Sequence, residues 1–123
     1  MSSPAVPPGW PGEVRPPGTA DFERTALAWL YDHCPPDLRG YPVLARRPVA
    51  LAWIVERHQA AAAGALREGL ATVRAELGEL LGEPALTEVL GVFPREAERA
   101  EAAARSARLI GQALGGRRWV PRL

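Results

Sequence analysis

The chain contains no lysine and no asparagine, and it has one cysteine, one methionine and two histidines among its 123 residues. Each shortage closes off some chemistry. Without lysine there is neither a Schiff-base amine nor a phosphate-loop lysine. A single cysteine, Cys34, excludes an intramolecular disulfide and a four-thiolate zinc site, and makes a reducing compartment the expectation. Serine is scarce as well: Ser2, Ser3 and Ser106, the last in an Ala-rich stretch with no histidine nearby, offer little to nucleophilic catalysis. No uncharged segment approaches the roughly 20 residues of a spanning helix, and no basic region followed by an apolar run opens the chain. A cytoplasmic protein with no membrane partner is therefore expected.

Charge of either sign is nearly balanced. The 15 positive residues, all arginine, face 14 acids for a net charge of +1, which argues against a general nucleic-acid or membrane-surface binder. The uniform use of arginine reads as the bias of a GC-rich genome and carries no chemical weight. Its distribution says more: residues 1–47 are neutral overall, 48–93 carry three Arg against six Glu, and 94–123 carry seven Arg against three Glu. The length suits one domain with a modest core.

What is present is helical periodicity. From Pro48 to Leu81 the apolar residues Leu66, Leu70, Val73, Leu77 and Leu80 step by four and three, the period of a coiled-coil seam. Pro48 suits a first turn, and Gly82 with Pro84 supplies a stop. The run Ala60–Ala63, Gly64, Ala65 carries nothing larger than a methyl group, and a break at Gly64 is the rival to one continuous helix. Other helices are expected over about 20–33, capped by Thr19 or Asp21, and from Pro94 to the glycines Gly115 and Gly116. Short helical pieces are expected after Pro42 and after Pro84. The predicted fold is all-α: an antiparallel hairpin or bundle of three main helices with short connectors, organised on the long central helix. In the expected register Leu81 lies near Arg95, Gly64 near Gly111, and Glu76 and Glu79 opposite Arg99.

Residues 1–18 hold six of the 13 prolines and form an expected disordered or polyproline-like lead, in which Trp10 docks on a partner or folds back. Residues 19–116 form the single helical domain, and 117–123 a basic tail.

Candidate sites follow from the rarer residues, each beside a plainer role. Trp29, Tyr41 and Trp53, with His33 and His58, line a conceivable pocket for a flat or greasy ligand, although core filling is the commoner fate of such aromatics. His33, Cys34 and His58 are the only soft-metal ligands, and a site would draw on Glu56 or Asp32. The Glu-x-x-His spacing of bundle metal sites is missing, so neither a metal nor a cofactor is expected. Arg39, Arg46 and Arg47 beside Asp32 and Asp37 read as a braced corner more than an anion site. Arg117, Arg118, Arg122 and Trp119 combine guanidinium groups with an aromatic, the elements of single-strand nucleic-acid binding, but three arginines are few. A flat helical layer leaves Leu and Trp side chains bare, and such patches mark interfaces. The sequence thus predicts a non-enzymatic protein-interaction module, an adaptor or regulator, homodimeric through Leu66, Leu70, Val73 and Leu77. Another protein partner is expected too. A small-ligand binder and a nucleic-acid-associated regulator are the alternatives.

Overall fold

The computed structural model describes residues 5–121. Among them are four α-helices: α1 (Phe22–Asp32), α2 (Pro42–Arg46), α3 (Pro48–Leu81) and α4 (Glu83–Leu114), with a 3-10 turn at Pro36–Gly40 between the first two. The fold is the expected all-α hairpin, and α3 runs unbroken through Gly64. Its 34 residues span about 50 Å at the ~1.5 Å rise of an α-helix. A methyl group added at Gly64 would meet nothing within 4 Å, so that glycine adds no close packing.

The two long helices meet at one residue. Gly82 adopts φ +77° and ψ 164°, a conformation open almost only to glycine, and its N–H closes α3 on the Gly78 carbonyl at 3.1 Å while its carbonyl accepts from the Leu86 N–H at 2.9 Å. A turn this short forces α3 and α4 side by side, antiparallel.

This corrects the expected connection. The segment after Pro84 is no separate cap, because α4 continues through Pro94. Proline lacks the N–H that would bond the Leu90 carbonyl, which costs a helix interior about 3 kcal/mol. The long contact with α3 offsets it, since Phe93, just before Pro94, lies over the backbone of Gly69. The register shifts accordingly. Gly111 faces Ala52, Phe93 faces Gly69 and Leu86 faces Gly78, so these paired residue numbers sum to 163, 162 and 164, around twice 82. Gly64 therefore lies far from Gly111. Across the helices Arg67 pairs with Glu101, and Arg74 with Glu83 at 3.4 Å, whereas Arg99 takes Glu96 of its own helix at 3.8 Å.

The largest core lies at one end, the base of the hairpin. Leu30 of α1, Leu51 and Val55 of α3, and Ile110 of α4 are fully buried there, with Ala26, Ala52 and Ala107 letting the helices approach. Leu44 of α2 adds the elbow to this core, and Gln59 Nε2 donates to the His33 carbonyl at 2.7 Å, pinning the end of α1 to α3. Beyond Gln59 the hairpin is two helices alone, closed along their shared seam by Ala63, Val73, Leu86, Ala97 and Ala100.

In the lead, Trp10 takes the fold-back alternative. Residues 5–18 pack onto the base: Val14 is 2% exposed, the Trp10 indole N–H donates to the Val14 carbonyl at 2.8 Å, and the Ser106 hydroxyl donates to the Gly9 carbonyl at 2.7 Å. The Trp10 ring sits 5.9 Å from Phe22 and 5.8 Å from Trp119, and Ala5 bridges Trp119 along the backbone. Proline removes donors but fixes φ, so a proline-rich strap docks with little loss of freedom once its few large apolar residues find a core. Ser2, Ser3 and Arg122 lie outside the described residues.

Candidate functional site

The aromatic pocket does not assemble. Trp29 is buried at the base with the His33 ring stacked on it at 3.8 Å, and His33 Nδ1 bonds the Trp29 carbonyl at 2.8 Å. Tyr41 and Trp53 are each 57% exposed and face solvent elsewhere. Trp29 and His33 line one open cleft of about 210 Å³ with Glu13 and Arg24. Trp53 lines another of about 220 Å³ with Val49, Gly111 and Gln112. The reason is rotational. Trp53 lies one residue past Ala52, which packs on α4, and a step of about 100° turns it off that seam. Its outer face carries the Arg57 guanidinium at 3.9 Å instead of a ligand wall.

The metal reading finds no support in the geometry either: among the described residues no group of three His, Cys, Asp or Glu side chains gathers to hold an ion. His58 is exposed on α3. The Cys34 thiol points back to the Tyr31 and Pro35 carbonyls at 3.6 and 3.5 Å. Its pKa is raised, first by burial, with Asp32 adding to the rise and Arg39 opposing it. A thiol held protonated is a poor nucleophile and a poor ligand.

The basic tail is engaged within the chain. Arg118 donates to the Ala113 carbonyl at 3.0 Å, satisfying the end of α4, and Arg117 donates to Gln112 Oε1 at 2.8 Å while its guanidinium covers the Trp119 ring at 5.1 Å. Trp119 itself packs edge-on against Trp10. None of the three is presented as a free stacking platform. At the elbow Arg39 pairs with Asp32 at 3.4 Å, while Arg46 and Arg47 are exposed.

What stands open is the far half of the hairpin. Of the residues expected at an interface, Val73 is buried within the chain, Leu66 and Leu70 are half-buried, and Leu77 is exposed. Part of the coiled-coil seam is thus satisfied by α4 instead of by a second chain. The bare apolar surface lies one flank over. On α3 the row Leu51, Val55, His58, Ala62 and Leu80 advances by whole or near-whole turns, beginning fully buried at Leu51 and ending 81% exposed at Leu80. On α4 the matching row runs from Ile110, Ala107 and Ala103, all buried, to Val92, which is 51% exposed. Past the base, α4 covers this side of α3 at Gly69 and Val73, and large apolar side chains are exposed again at Leu80 and Val92.

Sequence reasoning missed this flank because it counted the leucine seam as free. The signal that locates it is Gly82, the positive-φ turn that commits the seam to α4. Among the described residues no helix is long and apolar enough to cross a membrane. Comparison of the chain with protein-family models, curated proteins and solved structures finds no match in any of the three.

Proposed function

We propose that the protein is a non-enzymatic helical interaction module, an adaptor or regulator that works as a homodimer through the far half of its hairpin. The cytoplasm is the proposed compartment, on the single-cysteine composition. The supporting observation is the exposure of Leu80 (81%) and Val92 (51%) at the far end of the hairpin. Two helices share one seam and cannot cover each other's outer faces, so a projecting pair with bare Leu80, Leu81 and Val92 has apolar surface that a partner removes from water. The base is covered by α1, the lead and the tail, although Tyr41, Val49 and Trp53 remain exposed there.

Sedimentation across a wide concentration range tests this. A reversible shift toward twice the chain mass is expected, and a single species at the mass of one chain throughout would remove the homodimer.

A further inference from the structure

We infer that the groove under the front of the lead is a recognition site for proline-flanked tryptophan segments. Residues 5–12 occupy it as an internal ligand, which a segment of that kind from a partner protein displaces. The groove lies at the base, so this inference stands apart from the dimer proposed for the far half. Three observations carry it.

The first is a division within the lead. Val14 and Pro17 are buried, and the Arg15 N–H donates to Thr25 Oγ1 at 2.9 Å, so the rear of the lead belongs to the core. From Ala5 to Gly12 no residue is buried. Gly12 itself is exposed, and a methyl group added there would meet nothing within 4 Å. The front is laid on the molecule, whereas the rear is built into it.

The second is that the front holds its own shape. The Trp10 N–H donates to the Pro7 carbonyl at 3.1 Å, and the Val14 N–H to the Pro11 carbonyl at 3.2 Å. Pro7, Pro8 and Pro11 fix φ on both sides of Trp10. A segment of this composition arrives with little freedom left to lose, which is what favours the docking of proline-rich peptides.

The third is the receiving side, built by α1, α4 and the tail. Phe22 and Trp119 flank the Trp10 ring at 5.9 and 5.8 Å, making tryptophan the anchor. Among the described residues Ser106 is the one buried polar residue, and its hydroxyl donates to the Gly9 carbonyl at 2.7 Å instead of to a carbonyl of its own helix. Ala5 adds a backbone bridge to Trp119. An aromatic seat with a donor aimed at a peptide carbonyl reads any chain that presents a tryptophan in this extended, proline-set form.

The test uses the full chain and a fluorescent synthetic peptide with the sequence of residues 5–14. Two variants loosen the internal ligand and leave the groove intact. Trp10→Ala removes the anchor. Gly9→Ala places a side chain at φ +94°, with its methyl group 3.3 Å from Leu109 Cδ1, and changes no buried residue. Both variants are expected to bind the peptide saturably in anisotropy titrations, about tenfold more tightly than the parent chain, whose own lead keeps most of the groove closed. A peptide with alanine in place of Trp10 is expected not to bind. Ser106→Ala in the Gly9→Ala chain is expected to weaken binding roughly fivefold, the worth of one hydrogen bond. Absence of binding by a Gly9→Ala chain that keeps the parent's circular dichroism overturns the inference, as does equal binding by the parent and both variants. Dimers of the Gly9→Ala chain that the peptide dissolves would put the lead of a second copy in the groove and overturn the separate partner.

Discussion

Single residues decide where this chain turns and how closely its helices approach. Gly82 holds a positive φ of 77° that an L side chain rarely adopts, so Gly82→Ala is expected to lower the unfolding free energy by about 1–3 kcal/mol in urea titrations. Gly64 gives the opposite result. It lies inside a helix with open space around it, and Gly64→Ala is expected to raise stability by about 0.5–1 kcal/mol in the same measurement. Gly69 differs again: an added methyl group would lie 2.7 Å from Cε1 of Phe93, so the ring must move. Cys34 supplies the pH-dependent case. Its raised pKa means that the folded chain holds the thiol proton more tightly than the unfolded chain. The associated stability is therefore complete below the ordinary thiol range and lost as pH climbs through the folded value. Alkylation of Cys34 is expected to be slower than that of a free thiol near neutral pH and to accelerate only under alkaline conditions, as followed by mass spectrometry. The sequence revealed Gly82 as a stop but not as a one-residue reversal, because a turn and a longer connector share the same glycine-proline punctuation.

At the scale of elements, periodicity identified α3 from end to end, since both its seam and its terminal signals are local. Pro94 misled for an equally physical reason: a proline at a helix start and a proline inside a helix look alike until the neighbouring helix is known. Here the facing contacts run along α3 from Gly78 to Ala52 and keep α4 continuous past the missing donor. Pro94→Ala is expected to raise the melting temperature, recovering part of about 3 kcal/mol, whereas a proline opening a separate helix would show little change. The lead was legible only in part. Its prolines were visible, but the partners of Trp10, namely Phe22 and Trp119, come from opposite ends of the chain and leave no local pattern. Trp10→Ala is expected to cost about 2–4 kcal/mol by calorimetry, because it removes the ring between those two and a hydrogen bond to Val14. The Arg67–Glu101 pair, by contrast, is half exposed on both sides and contributes less than about 1 kcal/mol.

The whole molecule divides into a many-sided base and a two-helix projection. Amide exchange is expected to be slowest around Leu51, Val55 and Ile110, where α1 covers the hairpin, and faster near Leu80, where one seam alone holds the helices. Concentrating the sample is expected to slow exchange in the projection and leave the base unchanged if a second copy covers it. The sequence expects an interface on the leucine seam, where Val73 is buried within the chain and Leu77 is exposed. Which of two adjacent stripes faces the neighbour is set by the hairpin register, and the register is set by the turn.

The tight reversal at Gly82 also bears on how the protein comes together. Residues close to it in sequence are close in space, so pairing can begin with Gly78 and Leu86 and zip outward with little loop entropy lost at each step. The contacts joining Gly9 to Ser106 and Ala5 to Trp119 bridge nearly the full length of the chain and have nothing to dock on until the zipper reaches them. The proline strap is then expected to latch last, with Trp10 fluorescence recovering after the helical signal in refolding.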